Sequence, residues 1–235
     1  MYSVLKHTER IIDRIVDIIF VLILVVGVYY IYDSVFVYTS STAAKATVYK
    51  PQDGNPEILK ELSEDCVAWV TIYDSGVDYP VMQGKNNTEY LNKDPYGSYS
   101  LSGSIFLDSR CKADFTDDYS LVYGHHMSGN YMFGVLDAFM EEAYFDSHRK
   151  GELTAFGRYY ELETIAFVHT DASEGLIFNP QIEGDRMQWV RQNAAILREP
   201  SRSGGRLVAL STCKSPTSTL RTIVFVMIYE QEGEP

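Results

Sequence analysis

The sequence LVALSTC at 207–213 ends a β-like apolar run in a thiol, and Arg221 heads the next such run, TIVFVMIY at 222–229. Short apolar runs bounded by a polar, Pro-containing loop read as neighbouring strands. Pairing them brings Cys213 and Arg221 to one edge of a sheet. Well upstream, YGHHM at 123–127 follows a third apolar run, YSLVY at 119–123, and offers an imidazole. A thiol, an imidazole and a guanidinium at one sheet edge point to thiol-based acyl transfer.

Composition bounds what else the chain can do. It has 235 residues, 46 % of them hydrophobic, enough for a sizeable core. The net charge of −12 argues against nucleic-acid binding, which needs a basic face to neutralise phosphates. The three cysteines, Cys66, Cys111 and Cys213, form no CxxC pair, so neither a zinc knuckle nor a thioredoxin-type motif is indicated. Cys66 and Cys111 read as buried thiols rather than as a disulfide, because free Cys packs as a small hydrophobe. No HExxH, GxSxG or phosphate-binding loop occurs, and neither a metal nor another cofactor is expected. Asp117-Asp118 and Glu141-Glu142 read as solvated charge pairs.

The N-terminus carries an unbroken apolar run, IIFVLILVVGVYYIY at 18–32, resuming after Asp33. A spanning helix wants about 20 residues. Segment 18–38 is therefore expected to be a single-pass transmembrane anchor. Lys6, Arg10 and Arg14 precede it, which favours residues 1–17 inside the cell and the main domain outside. The competing reading is a cleaved signal peptide, but the apolar run is long and no small-x-small site follows promptly. Segment 39–54 reads as a linker, and 55–235 as the extracellular catalytic domain.

Within that domain Asn55-Pro56-Glu57 marks a helix start. AWVTIY and VDYPVMQ, joined at Asp74-Ser75-Gly76, read as a hairpin, with Pro80 at an edge or bulge. Further strands are expected at 103–108, 119–123, 152–156, 160–169, 207–212 and 222–229. Helices are expected at 130–140, with Met132, Val135, Leu136, Phe139 and Met140 on one face, and at 185–197 behind an Asp cap. Many short strands with few helices argue for a β-barrel or sandwich with helical additions.

Three residues carry the candidate chemistry. Cys213 lies beside polar Ser211 and Thr212 and near positive Lys214 and Arg221, which favours thiolate over thiol. Arg221 is permanently charged and suits a carbonyl or developing oxyanion. Of His125 and His126, adjacent in sequence, at most one can face Cys213. A lone strand-end cysteine is more often a core filler, and most arginines are solvated, so the combination carries the weight.

From about residue 67 to 229 the chain resembles the sortases, membrane-anchored cysteine transpeptidases of Gram-positive bacteria. The motifs are LSTC ending at Cys213, Arg221 downstream, and YGHHM. WVTIYDSGVDYPVMQ, NTEYLN, SGSIFLDSR, the MF after YGHHM and a helix before the cysteine strand look like class B in particular. The resemblance implies a mainly β fold, an eight-stranded barrel with helical additions behind one N-terminal transmembrane helix. It implies His125 as the catalytic imidazole, with Cys213 and Arg221; His126, Ser211 and Thr212 would contact substrate. The implied reaction cleaves C-terminal sorting signals of surface proteins and transfers the acyl group to a peptidoglycan amine. An alternative acceptor is a pilin lysine, and a non-enzymatic alternative is a membrane-anchored binding domain with an inert Cys213. Residues 178–182 and the loop after Cys213 are expected to shape specificity.

Overall fold

The computed structural model describes residues 2–39, 47–51, 58–127, 129, 131–213 and 219–231. The expected helix cap at Asn55-Pro56-Glu57, Asn130, most of the linker and the loop 214–218 lie outside the described residues. The chain divides into two compact units, Met1–Ser40 and Ser41–Pro235.

The first unit is one helix, α1 (Tyr2–Thr39). Its large apolar side chains between Ile11 and Val35 are exposed, Phe20 and Ile31 at 67 % each. Among the described residues no helix is long and apolar enough to cross a membrane. The expected single-pass span at 18–38 is thus not supported. The physical reason is that Asp17 and Asp33 confine the uninterrupted apolar run to 18–32, short of the ~20 residues a span needs.

The second unit is a closed barrel. Its strands are β1 (Cys66–Ile72), β2 (Val77–Met82), β3 (Ile105–Leu107), β4 (Tyr119–Gly124), β5 (Lys150–Ala155), β6 (Arg158–Asp171), β7 (Ile196–Leu197), β8 (Arg206–Cys213) and β9 (Leu220–Glu230). They lie in the order β5-β1-β2-β3-β4-β8-β9-β6-β7, and β5 also pairs with β6. That second pairing closes eight strands into a ring and leaves β7 as an outer addition, so no edge of the barrel stays open. Val70, Val81, Leu153, Leu162, Val208, Leu210, Val224 and Val226 fill its interior with Phe133, Phe139 and Phe145. A second apolar layer outside β4, β8, β9 and β6 packs under the helices α4 (Gly175–Phe178) and α5 (Arg186–Asn193), through Ile177 and Val190. With both faces covered, the central strands are near-continuous apolar runs. A third layer packs α2 (Ile58–Leu62) on Trp69, Tyr90 and Phe106.

Two expected elements differ in detail. The segment expected as an α-helix over 130–140 is a 3₁₀ helix, Phe133–Met140, followed by α3 (Glu142–Ser147). Met132 precedes it at φ 51° and Met140 is 56 % exposed, so Met140 leaves the expected core stripe. The helix expected over 185–197 ends at Asn193, and Leu197 instead joins β7; the Asp185 cap accepts from the Gln188 N–H. Pro80 sits inside β2, opposite Trp69 of β1 and just before the Val81–Met82 stretch that pairs with β3.

Candidate active site

The topology brings three distant segments to one end of the barrel. Strands β4 and β8 run parallel, with Tyr123 opposite Ser211 and Gly124 opposite Thr212. Strand β9 runs antiparallel to β8, with Cys213 opposite Arg221. The residue after β4, His125, therefore emerges where β8 ends and β9 begins. Cys213 is placed here by its backbone register.

The strand ending at Gly124 needs a glycine for space. A Cβ there would lie 2.4 Å from Ile105 Cδ1 and 2.7 Å from the Phe133 ring. Gly124 completes β4 rather than turning it, and the 3₁₀ helix packs directly behind it. From that helix the Phe133 N–H donates to the His125 carbonyl at 3.0 Å.

The imidazole of His125 is oriented from the other side. Its Nε2 lies 2.8 Å from the Leu91 carbonyl oxygen. A carbonyl only accepts, so Nε2 carries the hydrogen and Nδ1 is the nitrogen left to take up or release a proton. Leu91 is itself held in a crowded turn. Gly103, at φ 58°, lies so close that a Cβ would be 2.5 Å from the Leu91 oxygen and 2.6 Å from that of Tyr90.

A cavity of about 270 Å³ opens here, lined by Asn87, Leu91, Phe106, Tyr123, Gly124, His125, Ser211, Thr212 and Arg221. Ser211 and Thr212 are 1 % and 2 % exposed, and their hydroxyls find no hydrogen-bond partner among the described residues. Both hydroxyl oxygens are closed off from solvent, and as successive residues of β8 the two side chains point to opposite faces of the strand. Beneath the cavity Asp108 is fully buried. Its carboxylate accepts two side-chain bonds from Arg110, at 2.6 and 2.8 Å, the Arg110 backbone N–H at 3.0 Å, and bonds from Asn87 at 2.7 Å and Tyr123 at 3.3 Å. Burial pushes the Asp108 pKa up, but the Arg110 donors outweigh it and hold the carboxyl below its ordinary value. Asn87 and Tyr123 are thereby fixed as walls.

Among the residues expected at the site, His125, Arg221, Ser211 and Thr212 line this one cavity, and Cys213 is brought beside it. His126 is turned away: its Nε2 lies 2.8 Å from Asp137 Oδ2, and it does not line the cavity. Residues 178–182 also lie apart from it. Arg110 donates to the Phe178 carbonyl, and Arg186 to those of Asn179, Pro180 and Ile182. Asn87, Leu91, Phe106 and Tyr123 are lining residues that residue types alone do not reveal. The segments NTEYLN and SGSIFLDSR, which carry part of the class B resemblance, were the available signal for the first three.

Cys66 and Cys111 are buried, free thiols. Burial pushes both up to about 12, so neither is a nucleophile at neutral pH. Among the described residues no group of His, Cys, Asp and Glu is placed to hold a metal ion.

No protein-family model matches the chain. Curated relatives do. It is 30 % identical to Sortase B of Listeria monocytogenes over 165 residues, 66 % of this chain and 65 % of that protein. It is 27 % identical to Sortase B of Staphylococcus aureus over 180 residues, 72 % of each chain. Among solved structures, a Streptococcus pyogenes class B sortase involved in pilus biogenesis is 39 % identical, with a TM-score of 0.67, covering 74 % of this chain and 97 % of that one.

Proposed function

The chain belongs to the sortase family and is class B-like, and from that premise we propose that it cleaves sorting signals of surface proteins through Cys213 and passes the acyl group to an amine. The observation that supports this reading is the register: the parallel β4–β8 and antiparallel β8–β9 pairings bring His125 and Arg221 to one cavity, with the backbone of Cys213 beside it. A solved relative is a Staphylococcus aureus sortase B–substrate complex, which supports a peptide as the occupant.

The chemistry follows from the groups present. An unperturbed thiol, pKa ~8.5, is only a few per cent ionised near neutral pH. Arg221 and a protonated His125 favour the thiolate. The Cys213 thiolate attacks the scissile carbonyl carbon, and the developing oxyanion meets the Arg221 guanidinium. The C–N bond breaks as the Nδ1 proton of imidazolium passes to the leaving amine, which gives a thioacyl-enzyme. An incoming amine then returns a proton to Nδ1, attacks the thioester carbon and expels the Cys213 thiolate. Throughout, the Leu91 carbonyl keeps Nε2–H engaged, so one nitrogen does both transfers.

The acceptor is either a peptidoglycan precursor amine or a pilin lysine. The 39 % identity to a relative involved in pilus biogenesis favours weighing the second alongside the first. The exposed apolar side chains of α1 suit attachment to a membrane, with the barrel at the cell surface. Fractionation of the full chain tests this: it should sediment with membranes and need detergent for release, and recovery in the soluble fraction contradicts attachment.

The test of function is incubation with quenched sorting-signal peptides, with and without each amine class. Cleavage that is lost in Cys213→Ala and yields an amine-linked product supports the reading. Cleavage unaffected by Cys213→Ala ends the role of Cys213, and no cleavage by the wild type with either amine class leaves a binding domain with an inert thiol.

A further inference from the structure

A carboxylate outside the cavity ties together the two strands that deliver its cations. Asp137, in the 3₁₀ helix Phe133–Met140, uses its oxygens separately. Oδ2 accepts from His126 Nε2 at 2.8 Å, and Oδ1 accepts from the Thr222 hydroxyl at 3.0 Å. His126 immediately follows His125, and Thr222 immediately follows Arg221. Thr222 is completely buried, so its hydroxyl requires this partner. Successive strand residues alternate faces, so Thr222 lies on the face of β9 opposite to Arg221. Strands β4 and β9 are not neighbours, because β8 runs between them. Asp137 bridges behind β8, from the segment carrying the imidazole to the strand carrying the guanidinium.

Resting on the reading of the cavity as a transpeptidase site, we infer that Asp137 is a positioning residue that sets the spacing of His125 and Arg221 about Cys213. Among the described residues its two bonds go to His126 and Thr222. Its side chain fixes the backbone at 126 and at 222, one residue beyond each cation. The Phe133-to-His125 backbone bond anchors the same helix to the same segment, so the helix, the β4 end and β9 move as one block. The bridge orders the reacting groups and leaves substrate binding to the cavity walls.

The inference predicts a defect in turnover rather than in affinity. In Asp137→Ala, kcat for peptide cleavage should fall roughly ten- to hundred-fold, since displacement by about 1 Å costs that much, while KM stays within about two-fold. Thr222→Val should fall in the same direction, and Thr222→Ser, which keeps the hydroxyl, should recover most of the loss. The double variant Asp137→Ala/Thr222→Val should be no slower than Asp137→Ala alone, because both break one bridge. If Asp137→Ala does not fold, Asp137→Asn serves: it keeps an acceptor for Thr222 but loses the bond from His126 Nε2–H, and should show a partial kcat loss. The rate at which a methanethiosulfonate reagent modifies Cys213 is read in parallel and needs no peptide turnover. It should drop several-fold in Asp137→Ala as the cations withdraw. A folded Asp137 variant with wild-type kcat and wild-type thiol reactivity overturns the inference, as does a loss carried by KM or a Thr222→Ser variant as slow as Thr222→Val. If the wild type shows no Cys213-dependent cleavage, the transpeptidase reading fails by itself. The thiol rate then decides the positioning role alone, an unchanged rate refuting it.

Discussion

Asp108 and the two buried thiols show how burial assigns opposite fates to ionisable groups. At Cys66 and Cys111 desolvation prevails, at Cys111 even against the neighbouring Arg110 charge, and both thiols are held up to about 12. A thiol-reactive methanethiosulfonate at pH 8 should therefore modify the native chain once, at Cys213, and reach the other two only in denaturant. Rapid modification of Cys66 or Cys111 in the native state would contradict this. Asp108 is equally buried, but Arg110 donates to both of its oxygens and keeps it ionised. A folded-state pKa below the unfolded value, ~3.9, adds stability that is present above about pH 4 and lost as pH falls through the folded value. Asp108→Asn should cost about 1.5–3 kcal/mol at pH 7, the worth of bonds to a charged group. The gap between variant and wild type in denaturant midpoint should close below pH 4, and a pH-independent gap would exclude the ion pair as its source. His125 and Arg221 at the cavity, and Cys213 beside it, were legible as candidates because their residue types are chemically committed and sit at the ends of apolar runs. Asn87, Leu91 and Phe106 were not, because nothing in a polar turn or a short strand marks a side chain as a cavity wall.

Strands and their ends carry the site, and their tolerances are narrow. Gly124 is wedged between Ile105 and Phe133, so Gly124→Ala must displace one of them. Overpacking of this kind costs roughly 1–3 kcal/mol, and here it also moves His125. The variant should lose thermal stability and more than ten-fold in peptide cleavage, and full activity would show that the strand end tolerates shifts. Two guanidinium groups hold the segment between β6 and α5, and Arg110 supplies bonds to the Phe178 carbonyl and the Asn179 side chain. Arg186 donates to the carbonyls of Leu176, Asn179, Pro180 and Ile182 and lies over the Tyr119 ring, 4.3 Å from its centroid. Arg186→Gln should open this segment to limited proteolysis while the barrel stays folded; resistance equal to wild type would contradict the bracing role. The strands that became β6, β8 and β9 were readable as apolar runs rich in β-branched and aromatic residues. Two-residue β7 carries no periodic signal. The 130–140 segment carried a helical stripe, but Met132 at positive φ and a 3₁₀ pitch rotated Met140 into solvent.

Closure of the barrel decides what those elements can do together. The β5–β6 pairing returns the sheet on itself, and the parallel β4–β8 pairing joins residues almost ninety positions apart in sequence. Local pattern indicates strands, not which strand lies beside which, so the barrel was legible as a class through family resemblance while its register needed the structure. The register makes the central claim testable in one measurement: the intact mass of the chain after brief exposure to a sorting-signal peptide without an acceptor amine. The account predicts an increase equal to the acyl fragment, mapped to Cys213, absent in Cys213→Ala and discharged when an amine is added. Peptide cleavage with no adduct on Cys213, or an adduct that persists in Cys213→Ala, would contradict it.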